Sequence, residues 1–93
     1  MLGLNDMRKL MKNDFKRVEI TWWDINASDG GWITKEDMDN HDVAVCKDIC
    51  YIYRETDDKI FTFSSISSNG GDSYEFGFAT CFPRGCIKSI REI

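Results

Sequence analysis

The sequence is short of several things whose scarcity narrows its chemistry. It has one histidine and one proline in 93 residues. His41 has no second histidine and no nucleophile motif beside it, which makes it a poor catalytic base. There is no Gly-rich phosphate loop, no Gly-x-Gly-x-x-Gly, no serine or cysteine nucleophile motif and no supported pair of carboxylates. No apolar run approaches the roughly 20 residues that cross a bilayer. No apolar stretch follows Arg8 and Lys9 as a secretory leader requires. These absences set the expectation of a cytoplasmic, non-enzymatic protein without a cofactor.

Metal chemistry is equally thin. Asp37, Asp39 and Asp42 lack the regular oxygen series, central glycine and terminal glutamate of a calcium loop. Cys46 and Cys50, and Cys81 and Cys86, have spacings a zinc site accepts. Cys50 and Cys81 sit in alternating strand patterns, however. That reads as small hydrophobic residues with reduced thiols, and no metal is expected.

What is present is aromatic and unevenly charged. Six Phe, three Tyr and three Trp supply a core for one domain spanning 1–93. A chain this short buries only about 60–65% of its unfolded surface, so that core is thin and an oligomer would secure it. The net charge of −4 divides into +3 over residues 1–17, −7 over 24–58 and +1 over 59–93, with Glu19 completing the sum. A nucleic-acid-coating surface needs a basic face, so nucleic acid is an unlikely partner for this acidic chain.

The pattern predicts an N-terminal α-helix within 1–15. Leu4, Met7, Leu10 and Met11 fall at helical spacing, and Asn5 or Asp6 is available as its cap. Strands follow. Lys16 to Asp24 alternates, with Val18, Ile20 and Trp22 on one face and Glu19, Thr21 and Trp23 on the other. After a Gly-rich loop, Thr34 to Asp37 resembles a capping box for one helical turn. Val43 to Glu55 and Lys59 to Ser65 read as strands, and residues 64–73 as a polar loop holding the hairpin signal Asn69-Gly70-Gly71. Tyr74 to Phe82 reads as one strand, whose small residues Gly77 and Ala79 suggest close backbone approach or a bend. Pro83-Arg84-Gly85 stops it. The tail fits a 3-10 turn, a short helix, or a tight turn with a closing strand. The fold class is therefore mainly β with an N-terminal α-helix. About five strands over 16–93 form a small SH3-like or Sm-like barrel, or a strongly curled antiparallel sheet.

Val18 to Asp24, the Gly31-Trp32 pair and Phe82 to Ile90 together resemble a family of small bacteriophage proteins. In that family a strand ending near Trp-x-Asp precedes Gly-Trp, and Pro-x-x-x-Ile-x-x-Ile closes a small β-barrel. The resemblance covers about residues 18–93 and departs at the N-terminal extension and the 64–73 loop. It implies a phage origin and action against host immunity, by trapping a nucleotide signal or by blocking a host protein.

Two sites follow from the residues. Adjacent Trp22 and Trp23 on a strand point to opposite faces, so one is core and the other faces solvent, a partner or the N-terminal helix. Trp23 and Trp32 could stack bases, while Arg84, Lys88 and Arg91, the one basic cluster outside the N-terminus, hold phosphates. That predicts a homo-oligomer that sequesters a small anionic nucleotide. The alternative is an inhibitor that occludes a host protein, using Trp23 with Asp37, Asp39 and Asp42. Ordinary surface charge is the plainer account of both charged groups.

Overall fold

A computed structural model describes residues 10–68 and 73–93. Strand β1 (Lys16–Asp24) leads into a long excursion carrying helix α1 (Lys35–Asp39), and returns as β2 (Ala44–Glu55). Then come β3 (Lys59–Phe63), β4 (Ser65–Ser68), β5 (Tyr74–Gly77), β6 (Thr80–Pro83) and β7 (Ile87–Glu92). Five strands form one antiparallel sheet in the order β6-β3-β2-β1-β7, and β4 pairs with β5 in a separate ribbon.

The expected alternation organises the inner face. Val18 and Ile20 of β1, Cys50 of β2 and Phe82 of β6 are buried together, with Trp22, Ile52 and Ile87 packed around them. A flat sheet would hold β6 and β1 about 14 Å apart, three strand spacings. Yet the Trp22 and Phe82 ring centroids lie 5.4 Å apart at 65°. The sheet is therefore strongly curled over this core.

It does not close. The barrel expectation fails at β6 and β7, which end the sheet on opposite sides and share no ladder. They are joined only by a 3-10 turn at Arg84–Cys86. Four-residue β6 ends in Pro83, which donates no hydrogen bond, so the strand has little edge to offer. The tail thus combines two of its sequence readings, a 3-10 turn and then a strand, with β7 pairing to β1.

The outer face has its own aromatic cluster. Phe63 is buried there, 5.0 Å from both Phe15 and Phe76 and 5.6 Å from Tyr51 between ring centroids. Tyr53 joins through Phe15 and Phe76. With Ile60 and Thr62 buried on the opposite side, β3 is covered on both faces.

Three sequence expectations need correction. The N-terminal helix lies partly in residues outside the described set. Over its described end, Met11 is extended and Lys12–Asp14 is a single 3-10 turn. Asp14 closes that turn by accepting from the Met11 N–H at 2.8 Å. The turn delivers Phe15 to the aromatic cluster, and Leu10 N–H donates to the Tyr74 hydroxyl. Second, Ser65–Ser68 of the expected polar loop is a strand, while Asn69-Gly70-Gly71 lies outside the described residues.

Third, Tyr74–Phe82 is two strands. The chain kinks at Phe78, whose φ of 56° is the left-handed region. A bulky residue there is a true outlier, costing about 1–2 kcal/mol. Gly77 makes the crossing feasible, because a Cβ at that position would lie 3.1 Å from the Ser65 Cβ. The bend anticipated from Gly77 and Ala79 is real, and it swings Phe78 out of the face that one continuous strand would have given it with Phe76 and Phe82.

Candidate partner-binding surface

The β1–β2 excursion, residues 25–43, makes an exposed lobe. Thr34 caps α1, its hydroxyl accepting from the Asp37 N–H at 3.0 Å, as the capping pattern requires. The two ends of the lobe are tied together. Asn26 Nδ2 donates to the Asp42 carbonyl at 3.0 Å, and His41 Nε2 donates to the Asn26 carbonyl at 2.6 Å. His41 is thus a brace within the lobe.

The composition of this lobe's surface is unusual. Trp32 is 94% exposed and Ile25 88%, with Ile33, Met38 and Val43 also exposed. Trp23, 38% exposed on the outer face, stands directly opposite exposed Val45. The described segment 10–15 packs on Tyr53 and Phe63. Residues 25–43 carry five carboxylates against one cation, Lys35, for a net charge of −4. Lys35 is spent on Asp39 at 2.8 Å, an exposed pair on α1. Asp42 accepts from its neighbour's N–H, and Asp37 has no side-chain partner among the described residues.

At the base of the lobe lies a groove of about 220 Å³. Trp22, Trp23 and Ile25 form one wall, and Cys81, Pro83 and Cys86 the other. It can accept an apolar side chain, and Asp24 is the one acidic residue that lines it.

The basic residues do not converge. Arg84 donates from Nε to the Thr56 carbonyl at 3.0 Å and pairs with Glu55 at 3.0 Å. Its backbone N–H donates to the Asp58 carbonyl at 2.9 Å. Hydrogen bonds from Lys59 and then Thr56 hold the Asp58 carboxyl below its ordinary value, and the β2–β3 turn is locked to the Arg84 corner. Arg91 instead pairs with Glu19 at 3.2 Å. Glu19 sits opposite Ile49, six residues from Glu55 along β2, so the two guanidinium anchors are about 20 Å apart. Lys88 is exposed, with no ion pair among the described residues. Trp23 thus stands on β1 just before the lobe that carries Trp32, Asp37, Asp39 and Asp42, whereas Arg84 and Arg91 are held by separate acidic partners.

Sequence reasoning missed Ile25, Ile33, Met38, Val43 and Val45. Their signal was apolar residues scattered without period through an acidic loop. The cysteines follow position: Cys50 is buried, Cys46 and Cys86 half-buried, and Cys81 exposed. Burial, aided by the Asp48 charge and opposed by a hydrogen bond with Thr62, pushes the Cys50 thiol up from its ordinary value. Since the thiolate is the reactive form, iodoacetamide near pH 8 will alkylate Cys81 first and Cys50 only on unfolding. Equal labelling of both under native conditions, read by peptide mass spectrometry, would contradict this packing. Among the described residues no group of three or more His, Cys, Asp or Glu is placed to hold a metal, and no helix is long and apolar enough to cross a membrane. No protein-family model, curated protein or solved structure matches the chain.

Proposed function

We propose that this chain is a non-enzymatic binding protein whose acidic β1–β2 lobe docks on a basic surface of another protein and occludes it. The observation that carries this reading is the meeting of exposed apolar side chains and a net charge of −4 on one lobe. Large exposed apolar residues rimmed by charge mark interaction surfaces. The carboxylates would steer a basic partner, and Trp23 and Trp32 would serve as anchors. The strand order, with a 3-10 turn between the end strands, supports reading the fold as an open relative of SH3-like or Sm-like barrels. The phage resemblance supports a host defence protein as the partner. The outer edge of β7, unpaired among the described residues, with Ile90 exposed on the strand and Ile93 just beyond it, favours a homo-oligomer, which native mass spectrometry will count.

Nucleotide sequestration would require Arg84 to leave Glu55 and Thr56, which disfavours it. Affinity purification from the host at low and high salt tests the choice. The expected result is one partner retained at low salt and shed at high salt. The Asp37→Asn/Asp39→Asn/Asp42→Asn variant should lose it. Trp23→Ala and Trp32→Ala should each weaken binding about 30-fold, as hot-spot truncations do. A nucleotide that raises the melting temperature, or a partner indifferent to all these changes, would overturn the reading.

A further inference from the structure

A second cavity opens on the inner face of the sheet, separate from the lobe's groove. It measures about 210 Å³. Asp48 of β2 supplies its one charged side chain, and Thr62, Ser64 and Thr80 supply hydroxyls. Phe78 and Phe82 add two aromatic rings, and no basic residue lines it. Asp48 is exposed at the mouth of the cavity but oriented, since its Oδ2 accepts the Trp22 indole N–H at 2.7 Å. Among the described residues no cation pairs with Asp48.

Phe78 is the unusual element. It is 83% exposed, yet it lines this cavity from a backbone conformation that bulky residues avoid. Strain of this kind is associated with functional sites, where a side chain is held in a required place. An oriented carboxylate, acceptor hydroxyls and aromatic rings together suit one kind of guest. A planar cation can fork onto the carboxylate while its face lies against a ring. Anions are repelled by Asp48, and a cavity below about 300 Å³ is smaller than the usual site for a drug-sized ligand.

We infer that this cavity is a binding site for an alkylguanidinium group, with Asp48 as the anionic anchor and Phe78 as the stacking lid. The group comes either from a free small molecule or from an arginine side chain of another protein. The indole N–H of Trp22 is a built-in reporter, because it is hydrogen-bonded to the same carboxylate.

The test is a titration followed by the Trp22 indole cross-peak in ¹H–¹⁵N spectra, using agmatine and the capped peptide acetyl-Gly-Arg-Gly-amide. The expected result is a saturable shift with both probes, and a much smaller response to acetyl-Gly-Lys-Gly-amide. Tighter binding of the peptide assigns the site to a partner's arginine, and tighter binding of agmatine assigns it to a free molecule. Asp48→Asn keeps an oxygen for the Trp22 indole and should weaken binding at least tenfold. Phe78→Gly relieves the backbone, so it should raise the melting temperature while lowering affinity, a pairing that a purely structural Phe78 would not give. No indole shift with either probe at tens of millimolar, or an equal shift in Asp48→Asn, would overturn the inference.

Discussion

Replacing Phe63 with alanine will cost about 3–5 kcal/mol, the usual range for emptying a buried phenylalanine site. The reason is its position. Phe63 is buried on β3 beneath Phe15, Tyr51 and Phe76, which come from three other parts of the chain. The segment preceding β1 and the β4–β5 ribbon both rest on this ring, and each also touches Tyr53. A small domain has only about 5–15 kcal/mol in total. Urea denaturation should therefore show a midpoint shifted far down, with the ribbon losing amide protection first. Phe76→Ala combined with Phe63→Ala should cost less than the sum, because the two rings share one contact. Strict additivity of that pair would mean the cluster is not a unit.

Ile20→Ala is the second large effect, at about 2–5 kcal/mol. Ile20 has no exposed surface and lies in the inner-face core with Val18, Cys50 and Phe82. It pairs with Asp48 on one side and Ile90 on the other. The resulting cavity cannot collapse easily, because backbone ladders fix both neighbours. Ile20 and Phe63 sit on opposite faces of the sheet and share no ring contact, so their costs should add within about 0.5 kcal/mol. A coupling of several kcal/mol in the double variant's urea midpoint would refute the separation into two cores.

Periodicity made much of this legible. Val18, Ile20 and Trp22 announced β1, and Thr34 with Asp37 announced α1, because each depends on neighbours within a few residues. Tyr74 to Phe82 misled for the opposite reason. Alternation records which way side chains point, but not which strand lies alongside, and here the partner changes from β4 to β3 at Phe78. Ser65–Ser68 was invisible because serine-rich strands carry no apolar signal beyond Ile66. Barrel closure depends on whether β6 and β7 pair across the short 3-10 turn between them, which the alternation of side chains does not record. Of the sites, Trp23 was recoverable from the Trp22-Trp23 pair, since one had to face outward. Asp48 was not, because an exposed carboxylate on a strand looks like any other charge until the curl sets Trp22 beside it and Thr62 and Phe82 in the same cavity.

The placement of β7 also governs how the chain must assemble. β1 gains one neighbour early, through β2, but its other edge waits for β7, so that Ile20 meets Ile90 across most of the sequence. Contacts of such long separation form slowly. In the interval β1 offers an open edge lined by Val18, Ile20 and Trp22, the kind of strand that recruits others. Yield on expression will thus depend on the race between β7 docking and intermolecular pairing, and slower synthesis or lower temperature should favour the native outcome.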